Sequence, residues 1–306
     1  MVPRQQQRRL APASGFLDPA VLARIDNLAL LARTVVDGFL HGLHRSPYLG
    51  LSLDFAEHRA YQPGDDIRLI DWRLFARSDR HFIKQFEAET NANFVVVMDV
   101  SRSMSYGSEE TSKLDYARYL AACLAYFSRK QGDRVGLITF DDKVVDYVPP
   151  SLRHLDILLH TLARATAGSP GTLGPMRQMG ETLNRRGILV VISDFYEPPE
   201  DALRAMNNLR HRGHDVMAFH VMDPAELSFP FEKASSFRDL ETGEEIPVVP
   251  LKLRDEYRAV VQNHVGALER LFTANRIDYT LLDTSQPLDH ALFSYLATRE
   301  RRSRVR

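Results

Sequence analysis

One cysteine, Cys123, is all the chain contains. A single thiol excludes an internal disulfide and a thiolate metal cluster. Its place in the apolar stretch LAACLAYF assigns it to the core. Long apolar runs are missing too: none approaches the roughly 18–20 residues needed to cross a bilayer. The arginines near the start have no apolar segment behind them of the kind a signal peptide carries, so the expected compartment is the cytoplasm. The chain also lacks an excess of charge of one sign. Its 39 Lys and Arg against 40 Asp and Glu leave a net charge of −1, and the molecule as a whole has no strong field to gather nucleic acid or acidic lipid. Gly and Pro are few, 16 of each in 306 residues. What remains, 44% hydrophobic and 26% charged, is the composition of a globular protein with room for a large core and a satellite domain.

The charge that is present is uneven. PRQQQRR opens the chain and TRERRSRVR closes it, so residues 1–17 and 301–306 are expected to be disordered basic tails. Asp18 can cap a helix and Pro19 suits its first position. Apolar residues from Leu22 to Phe39 follow a helical period, predicting an N-terminal helix within 18–45. Beyond it, LSLDF and HFIKQF read as short extended pieces around YQPGDDIR, where Pro63-Gly64 suits a turn. From residue 93 onward, buried-strand patterns such as FVVVMDV and GILVVISDF alternate with amphipathic helices. That alternation predicts an α/β fold, a doubly wound and mostly parallel sheet with helices on both faces. The stretch 225–250 interrupts it with prolines around ETGEE, a hairpin signal. The expected organisation is an α/β domain of 93–224 plus 251–300 and a small β-rich lobe of 46–92 plus 225–250.

In such a sheet, ligands gather beyond the carboxyl ends of the strands where strand order reverses. Two predicted strands end there in an acid, Asp99 in VVVMDV and Asp194 in VVISDF. Two carboxylates about 5 Å apart at an effective dielectric near 20 repel by roughly 3 kcal/mol, which a proton, a basic side chain or a cation must relieve. The hydroxyls after Asp99 favour a cation. Mg²⁺ wants six oxygens in an octahedron, and Asp99, Ser101 and Ser103 alternate so that a turning loop can aim all three inward. A further oxygen can come from Thr172 in GSPGTLG, whose glycines permit close approach, with Thr166 in ARATAG as the competing candidate. Helix capping alone would also explain Asp99, Ser101 and Ser103; the addition of Asp194 and the glycine-rich loop favours metal.

DVSRSM, a loop threonine and ISD together resemble the metal-ion-dependent adhesion site of von Willebrand factor A-like domains. The resemblance implies Ser101, Ser103 and Thr172 as direct ligands, with Asp99 and Asp194 nearby, often through water. It implies Mg²⁺, with Mn²⁺ or Ca²⁺ as alternatives, and a partner protein whose acidic residue completes the coordination. HRSPYLG, HRAYQPGDDIRLIDWRLFAR, KQFEAE, DVSRSM, GDRVGL, ISDF and VMDPAEL, in that order, resemble bacterial proteins catalogued as domain of unknown function 58. That family is associated with MoxR-type AAA+ ATPases, which implies an adaptor or co-chaperone in complex assembly or metalloprotein maturation.

Other residues read as structural. Asp65, Asp66 and Asp71 face Arg59, Arg68, Arg73 and Arg77 as a turn with ion pairs, and Trp72 packs the lobe. His41, His44, His58 and His81 lack the spacing of helical metal ligands, and Arg134 marks a strand start. An enzyme is not expected. Ser101 replaces the second aspartate that a haloacid-dehalogenase-type phosphatase uses. A P-loop, a GxSxG elbow, a Cys–His pair and the late lysine of a receiver domain are all missing. A metal-dependent hydrolase or phosphatase at Asp99 and Asp194 is the alternative reading. A nucleic-acid binder acting through the arginine-rich tails is the second.

Overall fold

In a computed structural model of the chain, residues 18–25, 27–45, 57–60, 75, 82–85, 92–183, 185–240 and 242–303 are described. A six-stranded sheet organises them. Its strands are β3 (Asn93–Asp99), β4 (Arg134–Phe140), β5 (Val144–Ser151), β6 (Gly187–Ser193), β7 (Asp215–Met222) and β10 (Asp278–Asp283), in spatial order β10-β7-β6-β3-β4-β5. All pairings are parallel except β4 with β5. Pro149 and Pro150 lie in β5, an edge position where a missing N–H breaks no ladder. Strand order therefore reverses between β3 and β6, so the ends of these two strands flank the crevice.

Both faces of the sheet are covered. Along β3, Phe94, Val96 and Met98 join one core and Val95 and Val97 the other, as the two-residue period of a strand requires. The first core holds helices α2 (Leu28–Arg45), α3 (Lys113–Lys130), α4 (Leu155–Arg164) and α9 (Asp289–Ser303). The second holds α5 (Met176–Thr182), α6 (Pro199–Arg210) and α8 (Pro250–Ala274). Each fully buried Val, Leu, Ile, Phe or Met side chain contributes about 1.5–3 kcal/mol, so this double layer carries the fold. The expected doubly wound α/β class is what the chain adopts.

Two details differ from the sequence reading. The N-terminal helix is broken: α1 is only Pro19–Leu22, and Asn27 starts α2 anew by accepting from the Leu30 N–H at 3.0 Å. Asp18 caps α1 as expected, accepting from the Ala20 N–H at 2.9 Å. The stretch 225–250 contains a short helix, α7 (Pro224–Ser228), despite its prolines. Pro224 is its first residue, where no N–H is needed, and Asp223 with Glu226 forms a capping box. The ETGEE hairpin is present as β8 (Ser235–Arg238) with β9 (Glu245–Val248). Strand β1 (Glu57–Ala60) pairs with β2 (Phe82–Gln85), the latter within the predicted HFIKQF piece. Among the described residues these are two separate two-stranded sheets.

Candidate metal centre

The apolar run of β3 ends because Asp99 turns the chain. Its Oδ1 accepts from the Ser101 N–H at 2.8 Å, closing a side-chain turn that leads into a 3₁₀ segment, Arg102–Ser105. Asp99 Oδ2 accepts from the Ser193 hydroxyl at 2.6 Å, across the switch between β3 and β6. Ser101 and Ser103 are buried beside it, their hydroxyl oxygens 3.1 Å apart. Burial, then the charge of Asp194, push the Asp99 carboxyl up from 3.8 to about 7.

The turn after β6 is held in an unusual backbone. Phe195 has φ +45°, a left-handed conformation that is strained outside glycine. It persists because three contacts fix it: Ser193 Oγ accepts from the Phe195 N–H at 3.0 Å, His264 Nε2 lies 2.8 Å from its carbonyl, and its ring packs edge-on against Phe272. Asp194 is thereby aimed inward and buried.

What Asp194 meets is a lysine. Lys113 is fully buried, and its Nζ donates to Asp194 Oδ2 at 2.8 Å, to Glu226 Oε1 at 2.8 Å and to the Tyr196 hydroxyl at 3.2 Å. All three ammonium protons are used, and the charge also lies 4.5 Å from the Tyr196 ring centroid. Burial opposes the charge of Lys113, but Asp194 and Glu226 outweigh it and raise its affinity for the proton. Glu226 belongs to the capping box of α7, and Asp223 there accepts from the Ser108 N–H at 2.8 Å and hydroxyl at 2.5 Å. The loop after β3 is thus tied to the end of β7.

Lys113 was not singled out by the residue pattern. The available signal was its position: it is the first residue of α3, directly after the cap Ser112. A cation there opposes the helix macrodipole, so it needs a compensating anion.

The glycine-rich loop lies over the serines. Arg102 N–H donates to the Ser169 carbonyl at 3.1 Å, and Gly168 N–H to that of Val100 at 2.9 Å. A Cβ on Gly171 would fall 2.2 Å from Ser101 Cβ and 2.8 Å from its hydroxyl oxygen. Only glycine permits that approach. Thr172 follows directly, exposed, its hydroxyl accepting from the Gly174 N–H at 3.3 Å. Thr166 is also exposed but sits just past the end of α4.

Do these groups suit a hard divalent cation? Adjacent ligands of Mg²⁺ at 2.0–2.1 Å stand about 3 Å apart, and the two serine oxygens are separated by 3.1 Å. Asp99 adds a buried carboxylate whose ionisation is hindered by burial and by Asp194, a cost that a cation removes. The set fits. Asp194 is the poorer donor, since Lys113 already holds its Oδ2. Among the described residues no cluster of three or more His, Cys, Asp or Glu has metal-ligand spacing. The donors here are two carboxylates and hydroxyls.

The other residues named from the sequence divide simply. Arg134 starts β4 and Cys123 is buried, as expected. The ion-pair stretch with Asp65, Asp66, Asp71 and Trp72, and also His81, lie outside the described residues, as do 1–17 and most of 46–92.

The sheet order, with helices on both faces and acids at the tips of the two central strands, defines a von Willebrand factor A-like domain. The chain belongs to the family described as "Protein of unknown function DUF58", whose model matches residues 57–266. Uncharacterized proteins of Mycobacterium bovis and Mycobacterium tuberculosis are 28% identical over 292 residues, covering 93% of this chain and 91% of theirs. Among solved structures, BatB from Bacteroides thetaiotaomicron is similar at TM-score 0.49 and 19% identity, over 68% of this chain and 98% of that one. The SpRpn10 VWA domain is similar at TM-score 0.39 and 13% identity, over 65% and 92%. No described helix is long and apolar enough to cross a membrane.

Proposed function

We propose that the chain is a non-catalytic, metal-dependent protein-binding module. Asp99, Ser101 and Ser103 would hold Mg²⁺, or Mn²⁺ or Ca²⁺, with Thr172 reaching in from the loop above and Asp194 acting through water. The bound ion supplies a positive charge at the sheet edge that an acidic side chain of a partner can ligate. The single observation carrying this reading is the pair of buried serine oxygens, 3.1 Å apart, beside a buried carboxylate. The family likeness points to a MoxR-type AAA+ ATPase as that partner and to an adaptor or co-chaperone role.

The test is capture of a MoxR-type ATPase from the same genome by the purified chain. Binding is expected with Mg²⁺ and lost with EDTA or with Asp99→Ala/Ser101→Ala. Equal capture in all three conditions overturns metal dependence. No turnover of phosphate or carboxylic esters by the Mg²⁺-loaded protein is expected; turnover abolished by Asp99→Asn would favour the hydrolase reading instead.

A further inference from the structure

The opposite edge of the sheet, where the strands begin, carries a second and unrelated concavity of about 500 Å³. Its floor is the starts of three parallel strands, at Asn93, Arg134 and Gly187, and its rim comes from the end of β5 and the turn after α5. Three arginines line it: Arg134, Arg153 and Arg185. None forms an ion pair among the described residues, whose salt bridges lie elsewhere. No described Asp or Glu lines the cavity. Among the described residues, no counter-charge accompanies these three positive charges.

His214 also lines the cavity, 4% exposed, its ring nitrogens buried beside the backbone of Leu183 and Gly187. Tyr147 and Leu152, respectively 41% and 40% exposed, also line it. An aromatic ring and an aliphatic chain left open to solvent beside a cationic cluster form a wall on which a flat ring can stack.

We infer that this cleft binds a phosphate monoester carried on a flat ring, of nucleoside monophosphate size, with Arg134, Arg153 and Arg185 around the phosphate and Tyr147 beside the ring. Guanidinium forks match phosphate oxygens in geometry and in charge. The volume lies within the range of small-molecule sites. This site is independent of the metal centre, which lies at the other ends of the same strands.

The experiment is calorimetry on the full chain in EDTA, so that metal plays no part. The probes are AMP, adenosine, inorganic phosphate and a tetraglutamate peptide. AMP is expected to bind more tightly than inorganic phosphate, and adenosine and the peptide not to bind. Arg153→Gln, at an exposed position, should weaken AMP about tenfold, the loss of one charge-assisted hydrogen bond. Tyr147→Ala should bring AMP down to the affinity of phosphate alone, and circular dichroism confirms that both variants fold. Equal affinity for AMP and inorganic phosphate removes the ring from the proposal. Peptide binding in place of AMP makes the cleft a site for an acidic protein segment and overturns it. Absence of binding by every probe at millimolar concentration also overturns it.

Discussion

At the scale of single residues, the two carboxylates of the metal centre solve their mutual repulsion differently. Asp99 leans toward its protonated form and Asp194 takes an internal ammonium. Between pH 3.8 and about 7 the metal-free native protein holds a proton on Asp99 that the unfolded chain has released. Stability therefore falls as pH rises through that window, by on the order of 4 kcal/mol. Urea melts in EDTA should lose this fall in Asp99→Asn. His220 works in the opposite sense. Burial, then His264 and Lys113, depress its pKa from 6.5 to about 3, while its Nδ1 lies 2.7 Å from the Tyr279 hydroxyl. Stability is lost as pH falls from 6.5 toward 3 because the unfolded chain takes up the proton. His220→Phe should flatten that acid limb. Lys113→Met removes the counter-charge of Asp194 and Glu226 and should cost about 3–5 kcal/mol in the absence of metal. The same variant should bind Mg²⁺ more tightly by calorimetry, since one positive charge has left the site.

At the scale of elements, the contacts that matter join segments distant in sequence. Gly171 sets the loop bearing Thr172 against Ser101. Gly171→Ala places a methyl group inside van der Waals contact with Ser101 and must push the loop away. Its melting temperature should then no longer respond to Mg²⁺, while its circular dichroism stays native. A helix start was legible where a local cap exists, as at Asp18. The restart at Asn27 was hidden because the apolar period of residues 22–39 continues through the break. Residues 224–228 could not be recognised as helical from proline content, since Pro is harmful inside a helix but favourable at its first position.

At the scale of the whole molecule, ligand binding adds to stability by mass action. At a Mg²⁺ concentration tenfold above the dissociation constant, the gain is about 1.4 kcal/mol. A modest rise in melting temperature on adding millimolar Mg²⁺, absent in Asp99→Ala, is the expected reading in a thermal scan. Lys113, Glu226, Asp223 and Ser108 link the ends of β3, β6 and β7. Removing the link by Asp223→Ala should therefore destabilise more than the roughly 1 kcal/mol of an isolated cap, as urea melts would measure.

By itself the sequence determined the alternation of strands and helices, the doubly wound class and the acids at two strand ends, because hydrophobic periodicity and strand-terminal residues are local properties. Tertiary structure alone decided that a lysine reaches Asp194, that a strained phenylalanine aims that acid inward, and that three arginines from separate strands and loops share one cleft. Those facts depend on which distant segments meet, and charge, strain and close approach are priced only where the chain has already been brought together.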